Sequence, residues 1–181
     1  MSYLDLQKAL SLAPDCRFYT TAGGKSETDI AESEQLLNIR FSKQSLEFYR
    51  KCGYLSFFGN EIFGINPNME SGVLEGNSVA FALNDRAAYN LPTSWLPIYN
   101  FDDGIMAYLD YSSLNNDNEP PVIAAIFDGE EYVVTQQIAE DLGSFILNLV
   151  EEQFKDIKTT KPNEEKPKRK FGLLDKIIGR K

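Results

Sequence analysis

Histidine is absent from this 181-residue chain, cysteine occurs twice, and 18 lysines and arginines face 27 aspartates and glutamates, a formal net charge of −9. Without histidine the commonest general base and the commonest nitrogen ligand for transition metals are missing. Ser-His-Asp and Cys-His catalysis are therefore excluded. Cys16 and Cys52 have no CxxC spacing and no histidine partner, so one chain can assemble neither a four-ligand zinc site nor a dithiol redox motif, and a disulfide-stapled secreted fold is not expected. No apolar run approaches the ~20 residues of a membrane span, the start MSYLDLQKAL has neither a basic nor a hydrophobic leader region, and no N-x-S/T sequon occurs. The expectation is a cytoplasmic protein.

Cationic residues are also scarce locally. Residues 1–157 hold nine basic and twenty-four acidic side chains, a net of −15, whereas residues 158–181 hold nine basic and three acidic, a net of +6. Between Cys52 and Phe154 the one cation is Arg86, set against sixteen carboxylates. Such a body repels a nucleic acid and attracts a cationic protein.

The apolar pattern predicts helices over residues 4–12, from a cap at Ser26 or Thr28 to Leu37, from a cap at Ser42 to a stop at Gly53, over residues 77–90, and from Ile138 to about Ile157. Short aromatic and β-branched runs predict strands over 54–58 and 61–65, joined by a tight turn at Gly59-Asn60, and over 95–99, 105–111, 121–127 and 132–135. Helices, a strand-rich middle and a closing helix, with no βαβ alternation, predict an α+β fold with a mixed, largely antiparallel sheet packed against several helices. Residues 1–157 form the domain. Residues 158–170 read as a flexible basic linker and 171–181 as a short cationic amphipathic segment. Three roles stay open for that segment: a weak membrane-surface contact, docking on a partner or on a second copy, and a disordered solubilising end.

Searches for chemistry fail individually. Gly24-Lys25-Ser26 matches the end of a phosphate-binding loop, but the required glycine five positions before Gly24 is Tyr19, so a helix-capping loop is expected. Asp102, Asp103 and Asp110, with Glu61 or Asp117, could surround magnesium or form an acid/base pair, yet two acids before a glycine are ordinary hairpin-turn residues. Cys52 reads as a core thiol at a helix end. Tyr54, Phe57, Phe58 and Phe63 read as core, because base-stacking platforms sit in positive grooves.

The order of motifs is more informative. Thr28-Asp29-Ile30-Ala31-Glu32, the capped helix ending in Cys52-Gly53-Tyr54, and Phe58-Gly59-Asn60-Glu61-Ile62-Phe63-Gly64-Ile65 are followed by Trp95-Leu96-Pro97-Ile98 and Asp102-Asp103-Gly104. Then come Tyr108-Leu109-Asp110, Pro121-Val122 and Phe127-Asp128, and last Asp141-Leu142-Gly143-Ser144-Phe145. Across residues 26–155 this series resembles the SUKH superfamily, and the basic tail lies outside the family core. The resemblance implies an α+β binding domain without catalytic residues, and no metal or cofactor is expected. Many bacterial members look like immunity proteins that neutralise a cognate toxin of a contact-dependent or polymorphic system, and fungal relatives regulate cell-wall synthesis.

The expected function is a non-enzymatic immunity protein, monomeric or homodimeric, whose partner is a cationic toxin, for instance a nuclease. Exposed acids at Glu61, Asp102, Asp103, Asp117 and Glu119 are the expected contacts. The alternatives are a regulatory scaffold recruiting a protein or membrane through its C-terminal segment, and a carboxylate-dependent hydrolase built on Asp102, Asp103 and Asp110.

Overall fold

The computed structural model describes residues 2–68 and 76–159. Four helices begin on caps that the sequence supplies locally. Helix α2 (Glu27–Leu37) starts at Ser26, whose hydroxyl accepts from the Asp29 N–H at 3.1 Å while the Asp29 carboxylate accepts from the Ser26 N–H at 3.2 Å. That reciprocal capping box selects Ser26 over Thr28. Helix α3 (Lys43–Lys51) starts at Ser42, α4 (Ser78–Tyr89) at Asn77, and α5 (Leu142–Thr159) at Asp141, whose Oδ1 accepts from the Ser144 N–H at 2.8 Å. The first helix, α1 (Ser2–Leu12), runs into a 3-10 turn, Ala13–Asp15, and packs along α5, with Lys8 bonded to Glu151 at 2.6 Å. The expected linker and cationic segment lie outside the described residues, apart from 158–159 at the end of α5.

Two antiparallel sheets complete an α+β fold. The smaller joins β1 (Thr20–Thr21), β2 (Leu55–Phe57) and β3 (Asn60–Ile62) in that order. Its hairpin turn is Phe58-Gly59, with φ of +48° and +81°, one residue earlier than expected. Asn60 is thereby released into β3, where its carboxamide accepts from the Tyr99 hydroxyl at 2.8 Å.

The larger sheet is a meander of β4 (Trp95–Asn100), β5 (Ile105–Asp110), β6 (Val122–Phe127) and β7 (Tyr132–Ala139). The register slips at Ile98, and a bulge of one residue reverses which face the next side chain takes. Trp95 consequently packs tilted against Tyr108 and edge-on to Tyr132, with ring centroids at 5.4 and 6.3 Å, on the α4 side, where Tyr132 donates to Asp85 at 3.0 Å. Tyr99 turns the other way onto Phe145 of α5 at 5.7 Å. Ile138, expected in the last helix, belongs to β7. Pairing with β6 carries the strand as far as Ala139, opposite Val122, and the helix starts only after the Asp141 cap.

Arg86, the lone cation of the middle of the chain, is structural. Its guanidinium donates to Leu37 O at the end of α2 at 2.8 Å and to Thr93 O before β4 at 2.6 Å. Burial holds its pKa below the usual value. Arg86→Met keeps the stem and orphans both carbonyls, so it should lower stability by about 2 kcal/mol, read as a lower urea midpoint at unchanged slope.

Candidate protein-binding surface

The meander decides which acids can act together. Pairing of Ile105 with Ile126 sets the β4–β5 turn beside the β6–β7 turn. Asp102 and Asp103 therefore share one end of the sheet with Asp128, Glu130 and Glu131, all five exposed. Each turn is fixed by its own polar side chain. Asn100 Oδ1 accepts from the Asp102 N–H at 2.8 Å, and Asp128 Oδ1 accepts from the Glu130 and Glu131 N–H groups at 2.9 and 3.0 Å. Those two amides hold the Asp128 carboxyl below the usual range. Glu61, half-buried on β3, is tied toward this end by the Asn60–Tyr99 bond. No lysine or arginine occurs anywhere in residues 95–139, so the field of these carboxylates is not cancelled from within the sheet.

Asp117 and Glu119 do not join them. Both lie on the connection from β5 to β6, at the opposite end of strands that span roughly 20 Å. Asp117 is exposed on a loop organised by Asn115, whose Oδ1 accepts from the Asp117 and Glu119 N–H groups at 2.9 and 3.1 Å. Glu119 is the clear correction. It is 3% exposed, and its Oε1 accepts from the Gln44 N–H at 3.1 Å in the first turn of α3. A carboxylate spent inside the fold on a helix N-terminus cannot be a surface contact. Desolvation, the largest influence, raises its pKa, as does Asp141, while Ser42, the Gln44 amide and Lys43 act in the other direction. Gln44 also reaches the start of α5, its Oε1 accepting from the Gly143 N–H at 2.5 Å. Glu119 and Gln44 therefore knit the 111–121 connection to the starts of two helices.

The same geometry separates the proposed hydrolytic trio: Asp102 and Asp103 precede β5 and Asp110 ends it. Among the described residues no group of three or more potential metal ligands occurs. Cys52 caps the C-terminal end of α3, and burial pushes its thiol up to about 11, as a core cysteine should behave. Phe57 and Phe63 are buried, and Tyr54 and Phe58 half-buried, consistent with core packing. One open depression of about 420 Å³ is lined by Ala31, Glu34, Gln35, Asn38, Ile39 and Arg40. Its two charged side chains, Glu34 and Arg40, are bonded to each other at 2.9 Å.

Reading single turns finds Asp102 and Asp103 but misses Asp128, Glu130 and Glu131. Their Asp-Gly turn is visible in the sequence, whereas its adjacency to the 102–104 turn depends on strand order. No described helix is long and apolar enough to cross a membrane. A protein-family model, SUKH_6, described as SMI1-KNR4 cell-wall, matches residues 27–146, a span containing both acidic turns and the 111–121 connection. No curated protein matches the chain.

Proposed function

The chain belongs to the SUKH superfamily, and on that premise we propose that it is a non-enzymatic, immunity-type binding protein whose acidic sheet end docks on a cationic toxin domain and occludes it. The observation that carries this reading is the juxtaposition of five exposed carboxylates on two adjacent turns of a sheet without a single lysine or arginine. Nuclease domains are commonly cationic because their substrate is anionic, so an acidic surface can stand in for phosphate and gain fast, salt-sensitive association. The reading places the protein in the cytoplasm, where the toxin acts.

Asp103→Lys combined with Glu130→Lys should weaken binding to the cognate toxin domain at least tenfold at low salt, mainly through the association rate, and flatten the salt dependence. Surface plasmon resonance across 50–300 mM salt checks this. Unchanged association would defeat the electrostatic reading.

The family description, SMI1-KNR4 cell-wall, favours a second reading, a regulatory scaffold that recruits a protein or membrane through residues 158–181. Deleting those residues separates the two. Retained toxin neutralisation supports the first, and lost localisation or partner recruitment the second.

A further inference from the structure

The larger sheet treats its two edges differently. The outer side of β4 is engaged by the small sheet, through the Phe63 N–H donating to Ile98 O at 2.8 Å and through the Asn60–Tyr99 bond. Among the described residues the strand at the other edge, β7, pairs only with β6. Edge strands are usually blunted by lysine, proline or inward charge, since their unpaired backbone groups are a template for another strand. β7 reads Tyr-Val-Val-Thr-Gln-Gln-Ile-Ala, with neither charge nor proline.

Val133 and Val134 are 39% and 46% exposed. Consecutive strand residues point to opposite faces, so both faces of the sheet are open at this place. Two bulges mark the remainder. Thr135 and Ile138 are extra residues opposite β6, and the Thr135 hydroxyl donates to Ala124 O at 3.0 Å. The regular stretch is 132–134, and it continues directly from the acidic turn containing Glu130 and Glu131.

We propose that residues 132–134 accept an extended segment of a partner protein by strand addition, the segment carrying β-branched or apolar residues next to lysine or arginine. The idea rests on the protein-binding reading above for the class of partner and goes beyond it in naming the backbone mode of recognition. Main-chain groups of β7 supply hydrogen bonds whatever the partner's sequence, Val133 and Val134 supply apolar area on the two faces, and Glu130 and Glu131 select basic flanks. A second copy is disfavoured as the occupant, because its own β7 carries no lysine or arginine to meet Glu130 and Glu131.

The test uses the full chain and two ten-residue probes, Lys-Lys-Val-Thr-Val-Thr-Val-Thr-Lys-Lys and the same peptide with glutamate at all four lysine positions. Amide exchange at 132–134, followed by NMR, should slow at least tenfold with the lysine-flanked probe, which should also bind at least tenfold more tightly than its counterpart at low salt. Glu130→Lys with Glu131→Lys should reverse that preference without touching the backbone. Val134→Pro, checked by its melting curve, should abolish protection. Equal binding of the two probes, or unchanged exchange at 132–134, overturns the proposal. So does protection already present in the free chain, which would mean that the edge is filled by residues 160–181 or, if dilution removes it, by a second copy. Because no toxin is involved, failure here leaves the toxin-docking reading standing, and the reverse holds equally.

Discussion

Glu119→Ala should cost about 3 kcal/mol of folding stability, lowering the melting temperature by roughly 6–12 °C in a chain of this size. The substitution removes the acceptor of the Gln44 N–H, leaves a cavity at a site 3% exposed, and releases the 111–121 connection from the N-terminus of α3. Gln44 is itself fully buried and already carries one unsatisfied donor, its Nε2. A second orphaned donor in the same turn has no route to water. If Glu119→Ala melted within 2 °C of the wild type, the carboxylate would be a bystander.

Glu119→Gln separates charge from hydrogen bonding. The amide keeps an acceptor for the Gln44 N–H but carries no charge. Because the native-state pKa of Glu119 is raised, the folded chain holds this proton more tightly than the unfolded one. The associated stability is fully present below the ordinary glutamate range and is lost as pH rises through the raised native value. Carboxyls with lowered pKa, Glu27 and Glu47 beside Arg50 and Lys51 and Asp128 on its two amides, act oppositely. Subtracting the two proteins' curves cancels them. Relative to wild type, Glu119→Gln should therefore gain stability from pH 4 to pH 7, measured by urea unfolding. A gain with falling pH would mean that the helix terminus, and not burial, governs this carboxyl.

Glu119 also marks where sequence reasoning stops. The caps at Ser42 and, against Thr28, at Ser26 are legible because a cap is a local bond between residues three apart. The α+β order and the family were legible from the sequence of motifs. A glutamate in Asn-Asn-Asp-Asn-Glu-Pro-Pro looks solvated, and nothing local reveals that its partner is an amide 75 positions earlier. Strand order is likewise hidden, so residue type alone groups Asp117 and Glu119 with Asp102 and Asp103, although a strand's length separates them, and passes over Asp128, Glu130 and Glu131. The slip at Ile98 and the displaced turn at Phe58-Gly59 are one-residue events. Periodicity over three to six residues cannot register them.

The largest effect expected of any single methyl group is at Gly64. A Cβ there would fall inside contact distance of Gly53 O and lie 2.7 Å from Gly53 C, with Tyr54 Cβ at 3.0 Å. Neither backbone can yield. The Gly64 N–H donates to Gly76 O and its carbonyl accepts from the Ser78 N–H, both at 2.8 Å. On the other side Gly53, at φ +65°, has no more room, since a Cβ added there would clash with Gly23 O. The glycines of the Cys52-Gly53-Tyr54 and Phe63-Gly64-Ile65 motifs are thus two faces of one close backbone approach, which fixes the small sheet against the start of α4. Gly64→Ala should cost about 4 kcal/mol or more and leave little folded protein at 37 °C by circular dichroism. Gly129→Ala is the control. Its Cβ meets nothing within 4 Å, so only the backbone penalty of φ +108° remains, about 1–2 kcal/mol. Gly64 itself is not in the left-handed region, so its loss comes from the contact alone; if the two variants melted together, the backbone would have yielded around the methyl, and the close approach of Gly53 and Gly64 would not be what holds the small sheet in place.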